Sequence, residues 1–298
     1  MSILLKIISK FRSLAEITIF ACCLSSLFST SAFGATSGET IVLHTDVGAS
    51  PPITNQPHIQ VRLVSEHEVF ARGETSFIGL HLVPDPEWHV YWRNPGDSGL
   101  APQVQWSLPE GASTSDIAWP WPKQLPLQHL MNYGYDGEVI FPVALNIPNN
   151  VTNEAFTIKA EASWLVCKEE CIPGSTSLIL TLPVGDKQKK SRYAESITSF
   201  RNREPKTLSL TGSEFNVDSH VEMTLYAKQA VFKDAKDIKF FPIQENLVEN
   251  GKKAELRWKN NLLTIRQAKS TYYTGVPGRV EGVLVVDGSA AWQFSLQP

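Results

Sequence analysis

His58-Ile-Gln-Val-Arg-Leu-Val64 alternates apolar and polar side chains, and Thr75-Ser-Phe-Ile-Gly-Leu-His-Leu82 does likewise. Alternation with period two marks a half-buried β-strand, because successive side chains leave opposite faces. Outward from these two, Glu87-Trp-His-Val-Tyr-Trp92 reads as an aromatic-rich strand closed by the turn Asn94-Pro-Gly-Asp-Ser-Gly99. Further strands are Val139-Ile-Phe-Pro-Val-Ala-Leu-Asn-Ile147, Phe156-Thr-Ile-Lys-Ala-Glu-Ala-Ser-Trp-Leu-Val166 and Ser177-Leu-Ile-Leu-Thr-Leu182. Short strands at this spacing, with Pro and Gly between them and no long stretch of period 3.6, predict an antiparallel β-sandwich over residues 57–185.

Between Asp186 and Lys206 the composition turns charged and polar, and Tyr193, Ile197 and Phe200 fall at helical spacing on one face. A short linker helix is expected within 186–207, packing on either neighbour. A second β region follows over 208–298. It contains His220-Val-Glu-Met-Thr-Leu-Tyr226, Asp237-Ile-Lys-Phe-Phe241 and hairpins about Asn260-Asn261 and Asp287-Gly288. Asn-Asn and Asp-Gly supply the positive φ angles that tight hairpin turns need. The fold class read from the sequence is therefore all-β, two sandwich domains joined by a short helical linker.

The chain opens with Lys6, Lys10 and Arg12, then the apolar run Ile17-Thr-Ile-Phe-Ala-Cys-Cys-Leu-Ser-Ser-Leu-Phe28, then the small residues of Ser31-Ala-Phe-Gly-Ala35. That order is a secretory signal peptide, expected over 1–34 with cleavage near Gly34 or Ala35, followed by a flexible segment over 35–56. The run is shorter than the roughly 20 residues that cross a bilayer. An uncleaved anchor is one alternative. A lipoprotein modified at Cys22 is another, but it requires a small residue where Phe20 stands. Without residues 1–34 the chain carries 24 basic and 29 acidic residues, a net charge of −5. No basic face is indicated for nucleic acid. No later stretch is long and apolar enough to be a membrane helix, so a soluble periplasmic protein is expected.

Cys22 and Cys23 leave with the signal, which isolates Cys167 and Cys171 in a compartment where disulfides persist. Along one straight strand, residues four apart are separated by roughly 13 Å, whereas a disulfide needs Cα atoms about 4.4–6.8 Å apart. The chain must turn at Lys168-Glu169-Glu170, either as a three-residue hairpin loop or as a single helical turn. As a structural staple the pair is weak. Closing about five residues gives roughly 2 kcal/mol, against nearly 5 for a loop of about 100. A tight loop suits reversible oxidation better, since both sulfurs stay adjacent in either state. A structural disulfide and a metal site are the other readings. Local charge does not mark an activated thiol: Lys168 favours a thiolate, while Glu169 and Glu170 oppose it.

Three segments, in this order and spacing, resemble the N-terminal periplasmic domain of the thiol:disulfide interchange protein DsbD, and more closely the ScsB-like proteins. They are Trp88-His-Val-Tyr-Trp-Arg-Asn-Pro-Gly-Asp-Ser-Gly99, Asn132-Tyr-Gly-Tyr-Asp-Gly-Glu-Val-Ile-Phe-Pro-Val143 and Trp164-Leu-Val-Cys-Lys-Glu-Glu-Cys-Ile-Pro-Gly174. The resemblance covers about 57–185 well and 208–298 loosely. It implies an immunoglobulin-like sandwich carrying a redox pair, supplied with electrons from a membrane-embedded domain through a thioredoxin-like domain. It further implies that Cys171 forms the mixed disulfide with partners and that Cys167 resolves it. The family covers its cysteines with an aromatic cap loop, and the matching position holds Tyr133 and Tyr135, without the phenylalanine of the best-known cap. His89 and Tyr91 leave the strand on the face opposite Trp88, Val90 and Trp92. Because the family's strand presents aromatic groups beside its cysteines, the resemblance implies that they line the site, with His89 assisting proton movement or merely packing. Asn94, Asp97 and Gly99 are expected to set turn geometry.

DsbD-like proteins continue into membrane helices and a thioredoxin-like domain, whereas this sequence has neither and no Cys-x-x-Cys. The expected function is therefore a periplasmic thiol–disulfide relay, reduced by a separate DsbD-like membrane reductase and reducing thioredoxin-like periplasmic clients. The seven histidines show no paired ligand spacing, and Cys-x₃-Cys without a nearby histidine is poor zinc chemistry. No phosphate loop or nucleophile elbow is present, and no cofactor is expected. Two alternatives belong to other classes: a non-catalytic β-sandwich binding module with a structural disulfide, and a copper-handling protein, since soft thiolates favour Cu(I).

Overall fold

The computed structural model describes residues 46–227, 232–274 and 277–297. The expected signal peptide, 1–34, lies outside the described residues. The first half contains β1 (Ile59–Ser65), β2 (His67–Ala71), β3 (Thr75–Pro84), β4 (Val90–Gly96), β5 (Gln103–Ser107), β6 (Ser113–Thr114), β7 (Lys123–Leu127), β8 (Leu130–Tyr135), β9 (Val139–Asn146), β10 (Ala155–Cys167), β11 (Cys171–Gly185) and β12 (Lys189–Lys190). Helix α1 (Ala194–Arg201) follows, then β13 (Lys206–Thr207), β14 (Leu210–Val217), β15 (His220–Ala227), β16 (Ile238–Pro242), β17 (Glu255–Lys259), β18 (Leu262–Ala268), β19 (Val280–Val286) and β20 (Ala290–Leu296).

The first half is a sandwich of the sheets β1-β3-β9-β6 and β12-β2-β11-β10-β5, with a small sheet β4-β8-β7 at its side. Its core follows from the alternation: Val61, Leu63, Leu80, Leu82, Phe141, Ile158 and Leu180 all point inward and are buried. Sheet β1-β3-β9-β6 also buries part of its outer face. There Val64 and Ile140 meet Tyr193 and Ile197, with Phe77 and Phe200 packed alongside. The helical stripe seen in the sequence thus docks on the first sandwich, where full burial of Ile197 contributes roughly 2 kcal/mol. Residues 46–56, expected within a flexible segment, lie along β1 instead. Ala49 and Ile53 bridge Val64 and Val61, and Ala49 and Ser50 are buried.

The second half stacks β13-β20-β19-β16 on β14-β15-β18-β17 around Val221, Leu225, Leu263, Ile265 and Leu284. Both hairpin turns form as the sequence predicts, with positive φ at Asn260 (54°), Asn261 (62°), Asp287 (50°) and Gly288 (63°). The two sandwiches do not stand apart. Phe240 and Leu284 face the second core, while Phe241, Val283 and Val285 face the first. Burial on both faces explains why Val283-Leu-Val-Val286 is unbroken by polar residues. The ring of Phe241 packs edge-on against both Trp92 (6.2 Å between centroids) and Tyr133 (5.1 Å).

Candidate functional site

The site grows from the longest hairpin. β10 and β11 pair in register from Ala155 with Pro183 down to Cys167 with Cys171. Side chains paired across an antiparallel ladder share a face, so Val166 and Ile172 lie on the core side. The cysteines, one residue further along, leave on the other side. Lys168-Glu169-Glu170 closes the hairpin, so of the two turns open to the sequence the three-residue loop forms. The Cα atoms stand 4.2 Å apart and the sulfurs are joined as a disulfide. Gly174 is required nearby, because a Cβ there would come within 2.5 Å of the Trp164 indole on the paired strand.

The two sulfurs are not equivalent. Cys167 is completely buried, whereas Cys171 is exposed at the start of β11. Burial of Cys167 comes from the strand entering β4. His89 exchanges both backbone hydrogen bonds with Cys167 (2.9 and 3.0 Å), which extends the β10 ladder to a third chain segment. Trp88, Val90 and Trp92 then point into the core, and His89 and Tyr91 point to the cysteine side. The Tyr91 hydroxyl lies 3.6 Å from Cys171 Sγ and 3.3 Å from His89 Nε2. A disulfide sulfur carries no proton, so the phenol donates to Cys171 and accepts from His89 Nε2–H. Burial pushes the Tyr91 phenol up to about 12, against a smaller lowering by Ser98. Burial also lowers the His89 imidazole, only partly offset by Asp136. At neutral pH the chain is therefore neutral imidazole to phenol to sulfur, and it is poised to stabilise negative charge on Cys171.

The charge balance at the hairpin changes with the fold. Lys168 Nζ lies 2.7 Å from Glu87 Oε2, and each holds the other in its charged form. The lysine that the local sequence offers to a thiolate is thus paired with Glu87, while the Tyr91 hydroxyl lies against Cys171 Sγ.

Tyr133 and Tyr135, expected to cap the cysteines, are core residues. β8 alternates, so both tyrosines face inward while Gly134 sits opposite Tyr91. Tyr133 donates to Asn250 Oδ1 (3.0 Å) and Tyr135 to the Pro120 carbonyl (2.6 Å). The loop 96–99 lies against Tyr91. Gly99, at φ +99°, has its backbone so close to the Tyr91 ring that a Cβ would lie 2.2 Å from Cε1 and Cζ. Asn94 and Asp97 fix this loop as the turn reading expects: Asn94 Oδ1 accepts from Gly96 N (3.0 Å) and Asp97 Oδ2 from Met131 N (2.7 Å). Ser98 is held through Asn132 Oδ1. Sequence reasoning missed the outer half of this network, in which Asn94 Nδ2 donates to the carbonyls of Pro242 (2.8 Å) and Gln244 (3.2 Å), and Asn250 Nδ2 to Asp97 Oδ1 (2.9 Å). Partners some 150 residues away leave no local signal. Among the described residues no group of three or more His, Cys, Asp or Glu side chains is placed to hold a metal ion.

A buried and an exposed cysteine facing each other across a hairpin tip, with a tyrosine on the exposed sulfur, can be set beside known proteins. Residues 60–183 match the N-terminal domain family of thiol:disulfide interchange protein DsbD. The match to this DsbD domain spans the sandwich that carries the cysteine pair. The fold is also that of the N-terminal periplasmic domain of ScsB from Proteus mirabilis, at TM-score 0.62 and 20% identity, covering 84% of this chain and 98% of that one. That likeness extends past the DsbD match into the second half. A far weaker likeness, TM-score 0.26 at 9% identity, is to a conserved domain protein from Bacillus anthracis, covering 82% of this chain and 80% of that one. No curated protein is significantly similar in sequence. Among the described residues no helix is long and apolar enough to cross a membrane.

Proposed function

We propose that this chain is a periplasmic thiol–disulfide exchange protein that passes reducing equivalents from a separate membrane reductase to thioredoxin-like clients through Cys167 and Cys171. The observation that carries this reading is the asymmetry of the pair, Cys171 exposed and touched by the Tyr91 hydroxyl, Cys167 wholly buried. In the reduced protein the Cys171 thiolate attacks a client disulfide. A Cys171–client S–S bond forms and one client sulfur leaves as thiolate. Cys167 then loses its proton and attacks Cys171 Sγ, closing the internal disulfide and releasing the second client thiolate. Two electrons move to the client, which takes up two protons. Reduction of the internal disulfide by the reductase is the same exchange in reverse, entered at the only sulfur a partner thiolate reaches. The direction follows the relative reduction potentials.

Tyr91 supports both half-reactions by donating to the charge that appears on Cys171, and His89 holds the phenol proton in place. Export by residues 1–34 supports the periplasmic setting. The test is capture in cells. A Cys167→Ala chain is expected to retain clients as mixed disulfides on Cys171, identifiable by mass spectrometry, and Cys171→Ala to retain none. Absence of thioredoxin-fold proteins among the captured partners refutes the relay.

A further inference from the structure

We infer that Asn250, in the second half of the chain, is a positioning residue for the cysteine site in the first, holding loop 94–99 against Tyr91 and so fixing the phenol on Cys171 Sγ. This rests on the exchange reading above and assigns the second sandwich a part in it.

The connection is continuous. Asn250 is buried, and both ends of its amide are committed: Oδ1 accepts from the Tyr133 hydroxyl (3.0 Å) and Nδ2 donates to Asp97 Oδ1 (2.9 Å). Asp97 is otherwise exposed, so its direction is set by this bond and by Met131 N on its other oxygen. Asp97 is followed by Ser98, tied to the fully buried Asn132, and then by Gly99, whose backbone presses on the Tyr91 ring beside the atom that bears the hydroxyl. Asn94 fastens the loop's other end to the Pro242 and Gln244 carbonyls of the same second half. The loop is therefore bolted at two points to the second sandwich and touches the site at one. Tyr91 has little freedom to retreat, because its ring is fully buried with Gly134 opposite it and Gly99 against it. The O···S distance of 3.6 Å is the quantity the second half holds constant.

The test uses the full-length protein, reduced, with iodoacetamide as the probe of Cys171 and glutathione as the redox buffer. Loss of one hydrogen bond in this chain is expected to lower the thiolate fraction of Asn250→Ala by about fivefold and, after the compensating rise in nucleophilicity, its alkylation rate at fixed pH by about twofold, with the equilibrium constant with glutathione shifted from the wild-type value. Tyr133→Phe removes the other bond of Asn250 but leaves its bond to Asp97, and is expected to leave both readouts at wild-type values. In a Tyr91→Phe background, Asn250→Ala is expected to add nothing. Asp97→Ala cuts the same connection at an exposed position and decides the matter if Asn250→Ala fails to fold. Wild-type alkylation and equilibrium in a folded variant of either kind overturn the inference. So does a shift that persists undiminished without the Tyr91 hydroxyl. These readouts need no biological partner, so failure of the wild-type protein to exchange with any thioredoxin-fold protein would refute the relay separately.

Discussion

Replacing Tyr91 by Phe removes one atom, the hydroxyl oxygen 3.6 Å from Cys171 Sγ, and leaves the ring that fills the space under Gly99. A hydrogen bond to a charged acceptor is worth about 1.5–3 kcal/mol, and at this length to sulfur the lower end applies. About 1.4 kcal/mol corresponds to one pKa unit, so the Cys171 thiol in the reduced variant is expected about one unit higher than in wild type. The thiolate fraction below both pKa values then falls about tenfold. The nucleophilicity of the thiolate rises with its basicity by about threefold for a Brønsted slope near 0.45, which leaves a net loss of about threefold to fourfold. At high pH, where both proteins are fully ionised, the sign reverses and the variant reacts about threefold faster. The assay is the pH profile of reaction with glutathione disulfide, followed from pH 4 to about 11. Superimposable profiles refute the reasoning, because they show that the phenol contributes nothing to charge on Cys171. A uniform drop at every pH refutes it too, since that pattern reports a displaced sulfur and not a changed ionisation.

Four further outcomes follow from the same geometry. Gly99→Ala places a methyl on the Tyr91 ring at φ +99°, and is expected to raise the Cys171 pKa as Tyr91→Phe does while also lowering the thermal midpoint, checked by alkylation profile and calorimetry. Phe241→Ala empties the contact between the two sandwiches and is expected to cost about 3–5 kcal/mol in urea unfolding, with both halves losing cooperativity together. Reduction of the disulfide is expected to cost only about 2 kcal/mol, measured by denaturation with and without reductant, so the reduced fold persists. Burial lowers the pKa values of His67 and His81 below their ordinary 6.5, so the unfolded chain binds more protons as pH falls below that value. Stability is therefore expected to be complete above pH 6.5 and to decline on acidification towards the lowered pKa values, and His81→Gln should flatten that decline in urea titrations from pH 7 to 5.

The parts of the fold legible in the sequence are those that local periodicity controls. Alternation placed β1, β3, β9 and β10, the Asn260-Asn261 and Asp287-Gly288 turns placed two hairpins, and the spacing of Tyr193, Ile197 and Phe200 placed the buried face of α1. The strand alternation at Trp88 to Trp92 separates His89 and Tyr91 from the core-facing Trp88, Val90 and Trp92, while their place on the cysteine side is implied by the resemblance alone. The same rule, applied to Asn132-Tyr-Gly-Tyr135, puts both tyrosines on one face, and the core is the face with room for them. What periodicity does not encode is pairing across long separations: the bonds from Asn94 to Pro242 and from Asn250 to Asp97 join the turn at 94–99 to residues some 150 positions away. The sharing of Phe241, Val283 and Val285 between sandwiches was equally hidden, although the unbroken apolar run of β19 is its signature.

The proposed relay requires that the Cys167–Cys171 disulfide be an exchangeable bond entered at Cys171. Its most direct test is the equilibrium of the oxidised protein with a reduced periplasmic thioredoxin-fold protein, resolved by thiol-trapping mass spectrometry. Transfer of the disulfide in seconds to minutes, passing through a mixed disulfide at Cys171 and abolished by Cys171→Ala, is the predicted result. A disulfide that stays intact against that partner, with a reduction potential below about −300 mV, would identify a structural staple and contradict the claim.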